Sequence, residues 1–153
     1  MIRVRAAQPS DWARLLSWRS DPETVAQFRE SSAPTVAEHM TWMAKIIRDE
    51  RSRLYVADDS EIGLSVGTAR LDLTQRKDET WAECSVTVEP RARGRGYAAQ
   101  LVAYLVLQAQ AERMSGLIAR VKPGNFASLR AFASCDFLPM KSKDDLVTLE
   151  RRL

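Results

Sequence analysis

Arg91-Ala92-Arg93-Gly94-Arg95-Gly96-Tyr97-Ala98 stands between an extended run, Cys84-Ser85-Val86-Thr87-Val88, and a long apolar helical segment from about Ala98 to Met114. A loop that opens a helix presents backbone N–H groups with no partner inside the helix, and the helix dipole adds partial positive charge there. Gly94 and Gly96 let that backbone approach a ligand closely, because neither carries a Cβ. Arg91, Arg93 and Arg95 add cationic charge. The combination is built for phosphate, a pyrophosphate above all.

Gly94-x-Gly96-x-x-Ala99 also fits the loose dinucleotide fingerprint. That fingerprint expects a tight turn straight off a parallel strand and an acidic residue ending the next strand. Here Glu89 to Arg93 intervene, and Lys122 stands in the acidic position. A merely solvated Arg-Gly-Arg-Gly turn would not account for the apolar helix beyond it, nor for Asn125 further on.

A chain of 153 residues is expected to form one domain, 1–153, large enough to bury a real core. Hydrophobic residues at 45% and charged residues at 28% describe an ordinary globular protein. The net charge of +3 is mild and, outside 91–95, scattered, which argues for a local anionic ligand and against a nucleic-acid partner. Cys84 and Cys135 do not make a disulfide scaffold, so a reducing compartment is expected. Met1–Arg5 has no signal-peptide core, and the apolar run near 98–111 is broken by Gln100, Gln108 and Gln110. A cytoplasmic location with no membrane partner is the expectation.

Ile2–Arg5 alternates as a strand does. Ser10 is placed to cap a helix from Asp11 to about Arg19, which Asp21-Pro22 ends, with a short helical turn to Phe28. Thr35-Val36-Ala37-Glu38 has the capping-box pattern and opens a helix to about Arg48, with Val36, Met40, Met43 and Ile47 facing inward. Leu54–Ala57, Gly63–Leu73 and Trp81–Val88 read as strands. After the long helix come a strand at Leu117–Val121 and a helix at Phe126–Ser134. A closing hairpin pairs Phe137–Met140 with Leu146–Glu150 over Lys143-Asp144-Asp145. The order β-α-α-β-β-β-α-β-α-β-β predicts an α/β (α+β) fold, with a mixed, mainly antiparallel sheet of about seven strands flanked by four helices.

The run Arg91-x-x-Gly94-x-Gly96-x-Ala98 resembles the acetyl-CoA loop of the GCN5-related N-acetyltransferases. So do the strand ending Val86-Thr87-Val88-Glu89-Pro90 before it and Asn125-x-x-Ser128-Leu129-Arg130 after it. The resemblance covers essentially the whole chain. It implies a splayed strand pair, Val86–Val88 against Leu117–Val121, with acetyl-CoA lying in the gap and no metal. Backbone groups of Val86 and Val88 would pair with the pantetheine amides, and either N–H would stabilise the reacting carbonyl oxygen. The amides from Arg93 to Ala98, through Gly94, Arg95, Gly96 and Tyr97, would hold the pyrophosphate, with Arg91 and Arg93 adding charge. Asn125 would bond the pantetheine while also capping its helix, and Ser128 or Arg130 would reach the phosphates. Glu83 would serve as base; its bland alternative is a surface carboxylate or a partner for Arg70.

Two positions depart from the family pattern. Phe132 stands where many relatives have the tyrosine that protonates the departing thiolate, leaving Tyr97, Tyr104, Cys135 or unaided departure. A thiol with a pKa of about 8.5 is a fair leaving group. Asp136 replaces a glycine before Phe137, so that turn is expected to differ.

The N-terminal half carries Trp18-Arg19-Ser20-Asp21-Pro22, Glu38-His39-Met40-Thr41-Trp42 and Arg70-Leu71-Asp72. This set resembles the branch that acetylates nucleotide-linked amino sugars, as in pseudaminic-acid biosynthesis. It implies that Arg19 and Arg70 meet a diphosphate while His39 or Trp42 flanks the base or sugar. Packing roles for His39, Trp42 and Arg70 stay open. A protein N-terminal acetyltransferase of the ribosomal-protein type is the alternative acceptor reading, and a non-catalytic CoA-binding module is another. The C-terminal hairpin offers an edge for a homodimer.

Overall fold

The computed structural model describes residues 1–30, 32–141 and 144–153. Seven strands run β1 (Ile2–Ala6), β2 (Ser52–Asp59), β3 (Leu64–Arg76), β4 (Glu79–Val88), β5 (Gly116–Val121), β6 (Leu138–Met140) and β7 (Val147–Arg152). Four longer helices, α1 (Trp12–Ser20), α3 (Val36–Arg48), α4 (Tyr97–Ala111) and α5 (Phe126–Ala133), are joined by the short α2 (Pro22–Gln27). The sheet order is β1-β2-β3-β4-β5-β7-β6. Every described pairing is antiparallel except β4 with β5.

The two faces of the sheet are covered differently. On one, Leu101, Val102, Leu105 and Ala109 of α4 are fully buried in a cluster with Ala57, Ala69, Leu71, Ala82 and Cys84 of β2–β4. Each large aliphatic side chain so buried contributes roughly 1.5–3 kcal/mol. On the other face, Leu15 and Trp18 of α1 and Met43 of α3 pack on Val56. This second layer is thinner, and it leaves room between the helices and β3–β4.

Several local expectations are corrected. The buried residues of α3 are His39, Met43 and Ile46, whereas Val36, Met40 and Ile47 are exposed. The helix turns its His39 side inward because Nε2–H donates to the Trp12 carbonyl at 3.0 Å, which satisfies a polar group that apolar patterning places outside. Its capping box forms as read, Thr35 Oγ1 accepting from Glu38 N and Glu38 Oε1 from Thr35 N. Ser10 caps nothing. Pro9–Asp11 forms a 3-10 turn, and Asp11 accepts Gln8 N–H at 2.8 Å and is gripped by Arg5 at 2.8 and 2.9 Å. Asp136 takes φ 64°, the left-handed conformation a glycine would supply, so the residue changes while the backbone stays glycine-like. In the closing hairpin β7 is the inner strand against β5 and β6 the outer one; Lys143 of its expected turn lies outside the described residues.

Candidate functional site

β4 and β5 pair only over three rungs, Trp81–Gly116, Ala82–Leu117 and Glu83–Ile118, and then part. A Cβ on Gly116 would fall 2.3 Å from the Trp81 ring, so only glycine lets the two strands close at this end. Beyond Glu83 no described strand pairs β4 on the β5 side, and alternate backbone groups from Cys84 to Val88 face an open cleft. The cleft is about 990 Å³. Val86 and Val88 line it, as do Gly94, Gly96, Tyr97 and Ala98 of the loop and Asn125, Ser128 and Arg130 at the start of α5.

The loop has the geometry its glycines foretell. Gly94 and Gly96 have φ of 79° and 81°, and Gly96 is the residue from which α4 starts. A side chain is strained at either φ. The first turn of α4 is pinned from beneath: the Tyr97 hydroxyl donates to buried Asp59 Oδ2 at 2.5 Å, and Asp59 Oδ1 accepts Glu61 N–H at 2.9 Å. The Tyr97 bond holds the Asp59 carboxyl below its ordinary range and pushes the phenol up. Asn125 caps α5, its Oδ1 accepting Ser128 N–H at 3.3 Å. Arg91 and Arg95 are exposed and do not line the cleft. The Arg93 guanidinium is directed to α2, to Glu23 at 2.5 Å, Thr24 at 2.6 Å and Asp21 at 3.1 Å.

A second cavity of about 620 Å³ adjoins the first on the α1–α3 face of the sheet. It brings together Arg19, His39, Trp42 and Arg70. Phe28, Arg29, Arg70, Ser85 and Thr87 line both spaces, so the cavities communicate across β4. Arg19 lies 3.8 Å over the Phe28 ring, and its Nη2 donates to the Glu30 carbonyl at 3.2 Å. Its Nη1 is buried with no partner among the described residues. Desolvation lowers the Arg19 pKa from its ordinary value, against the attraction of Glu30. His39 is 3% exposed, burial holds its pKa below the usual imidazole value, and its ring lies beside Trp42, centroids 5.4 Å apart. Arg70 Nε donates to Asp72 at 2.9 Å and stands opposite Ser85, not Glu83.

Glu83 lines the larger cleft at the point of parting, between two guanidinium groups: Arg120 Nη1 at 2.6 Å and Arg29 Nη2 at 3.6 Å. Phe132 is buried edge-on against Phe137, ring centroids 5.0 Å apart. Neither tyrosine candidate takes the missing role by its present contacts. Tyr97 is bonded to Asp59, and Tyr104 packs edge-on against Tyr55 at 5.2 Å. Cys135 Sγ sits 3.6 Å from the Ala99 carbonyl.

Arg29 and Arg120 were not found in the sequence, nor were Ser85 and Thr87, which continue the polar row begun by Glu83. The row has a signal, since alternate strand residues share a face. Arg120 has a fainter one, as the exposed residue in an otherwise buried strand.

A family model for the acetyltransferase (GNAT) domain matches residues 2–138. The chain belongs to that family. It is an acetyl-CoA-dependent N-acetyltransferase by fold, family and cleft. A domain from Methanocaldococcus jannaschii DSM 2661 superposes with TM-score 0.85 at 19% identity, covering 100% of this chain and 99% of that one. A ribosomal-protein-alanine N-acetyltransferase from Brucella melitensis gives 0.82 at 24%, covering 99% of each chain. A spermidine N-acetyltransferase from Vibrio cholerae, solved with CoA and spermine, gives 0.83 at 16%, covering 99% and 94%. No curated protein matches the chain significantly by sequence. Among the described residues no group of His, Cys, Asp and Glu is arranged to hold a metal, and no helix is long and apolar enough to cross a membrane.

Acetyl-CoA fits the larger cleft on the chain's own features: an unpaired strand edge, a glycine loop with left-handed φ, and the N-terminus of a fifteen-residue helix behind it.

Proposed function

We propose that the acceptor is the amino group of a nucleotide-linked amino sugar, bound in the 620 Å³ cavity and reacting across β4. The observation that carries this reading is Arg19 Nη1, a buried cationic donor with no partner among the described residues. Such groups are rare in folded proteins, because leaving one unpaired costs about 1–3 kcal/mol, more when charged. A phosphate oxygen of the acceptor satisfies it. The lining sets three arginines, Arg19, Arg29 and Arg70, against two glutamates, Glu30 and Glu38, around the aromatic rings of Trp18, Phe28 and Trp42. That balance suits an anionic substrate with a flat base or sugar to stack.

The bound coenzyme supplies an activated acetyl thioester. The remaining work falls to the chain. The N–H groups of 93–98 hold the pyrophosphate, with Ser128 and Arg130 as supplementary ligands, and the edge at Val86 and Val88 orients the pantetheine beside Asn125. Glu83 takes the proton that the incoming ammonium must lose, directly or through one water. Its two arginine partners hold the carboxylate at the mouth of the splay until the amine arrives.

A second reading has one observation behind it. Glu30 and Glu38 on the cavity wall would also attract a peptide's terminal ammonium, the acceptor of a protein N-terminal acetyltransferase. The deciding experiment is acetyl-CoA turnover with a panel of UDP-linked amino sugars, free amino sugars, polyamines and N-terminal peptides. UDP-linked amines should lead by at least tenfold; turnover of peptides alone would reject the proposal.

A further inference from the structure

We infer that the Arg93 side chain, although it sits in the phosphate loop, is a positioning residue for the acceptor cavity; this rests on the cavity being the acceptor site. Its guanidinium closes over the start of α2. Nη1 donates to Glu23 Oε2 at 2.5 Å, while Nη2 donates to Thr24 Oγ1 at 2.6 Å and to Asp21 Oδ2 at 3.1 Å. Asp21 is the residue that caps α2, its Oδ2 also accepting Thr24 N–H at 3.1 Å and Thr24 Oγ1–H at 3.2 Å. Arg93 therefore completes a four-membered polar cluster around a buried threonine.

The other end of α2 is held from the same side. Lys122 Nζ, just beyond β5, donates to the Ala26 carbonyl at 2.7 Å. A helix of six residues has no standing of its own in water. Its position is set by what grips it, and both grips come from the coenzyme side of the molecule.

That position matters because of the two residues immediately after α2. Phe28 and Arg29 line both cavities. The Phe28 ring supports Arg19 at 3.8 Å, and Arg29 reaches Glu83 at 3.6 Å. A shift of α2 would thus move the wall of the acceptor cavity, the partner of Glu83 and the support beneath Arg19 together. Three side chains of α2 and its cap already engage Arg93, so the guanidinium offers little to a pyrophosphate, which the loop's main-chain amides serve instead.

The test compares Arg93→Gln, Arg93→Lys and Glu23→Gln with wild type by three readouts. They are amide exchange across residues 22–29, acetyl-CoA affinity by calorimetry, and steady-state kinetics with the UDP-linked amino sugar that turns over best. We expect Arg93→Gln to speed exchange in that segment at least tenfold, leave acetyl-CoA affinity within twofold, and raise acceptor KM about tenfold with kcat changed less than threefold. Arg93→Lys restores part of the KM, and Glu23→Gln reproduces part of the loss. A tenfold fall in acetyl-CoA affinity with unchanged exchange would make Arg93 a phosphate ligand and overturn the inference. Faster exchange with unchanged acceptor KM would make it merely structural and overturn it too. The exchange and coenzyme arms do not use the acceptor, so failure of the nucleotide-sugar reading is seen separately.

Discussion

Glu83, in the last paired rung of β4 with β5, and Arg120, two residues past Glu83's partner Ile118, meet where the strands separate, Nη1 donating to Oε2 at 2.6 Å. The carboxylate proposed for proton transfer is thereby fixed in the wall of the larger cleft, where the strand pair opens. Glu83→Gln keeps the shape and removes the base. Its kcat should fall about 10²- to 10⁴-fold, the usual weight of a positioned base, while acetyl-CoA affinity stays unchanged. Steady-state kinetics beside calorimetry checks this; an unchanged kcat would show that Glu83 is not the base.

On the proposed reading, Arg19 carries a cost in the free protein that the acceptor's phosphate would relieve. Arg19→Met keeps length and apolar packing over Phe28 and removes the unpaired donor. The variant should be no less stable than wild type, and up to about 1 kcal/mol more stable by urea unfolding. Its kcat/KM for the acceptor should drop about tenfold to a hundredfold. Loss of stability together with unchanged kinetics would mark Arg19 as a packing residue.

Acid should destabilise the fold in two windows. Burial keeps His39 below its ordinary pKa, while the bond to Trp12 works the other way. The unfolded chain therefore takes up this proton at higher pH than the folded one. The stability linked to His39 is complete above about pH 6.5 and is lost as pH falls below it. Asp11 is held below its usual range, first by the hydrogen bond from Arg5, so its contribution is complete above about pH 4 and is lost only below that. Melting temperatures of wild type and His39→Gln from pH 8 to 3 separate the two. The upper step should vanish in the variant and the lower one persist.

Gly116→Ala tests the closed end of the strand pair. The added methyl enters the face of Trp81, which is 3% exposed, bonded through Nε1 to Glu79 at 2.8 Å and covered by Arg76 at 4.5 Å from the ring centroid. A ring held on several sides yields poorly, and overpacking of this kind costs about 1–3 kcal/mol. Denaturant unfolding measures it.

The phosphate loop and the succession of strands and helices were legible because glycine positions and two-residue alternation act locally, whereas the splay came only with the family resemblance. The inward face of α3 was not, because His39 reads as polar until the Trp12 carbonyl that satisfies it is in place. Asp136 misled in a similar way: its φ of 64° is uncommon for a non-glycine residue, and residue type alone suggested a different turn. Strand ends ran longer than read, since Ser52, Arg53, Gln75 and Arg76 extend the ladder with polar side chains. The partners of Glu83 and Arg93 were beyond local reading. They join residues 37 and 70 positions apart, and only the assembled sheet brings them together.

The central claim is that main-chain amides opening α4 grip the coenzyme, and calorimetric titration of acetyl-CoA into wild type and Gly96→Val tests it most directly. Gly96 has φ 81°, which valine adopts only under strain. Wild type should bind one equivalent and melt at a higher temperature when loaded, and the variant should bind at least tenfold more weakly. Wild-type protein showing neither heat nor a thermal shift would contradict the account.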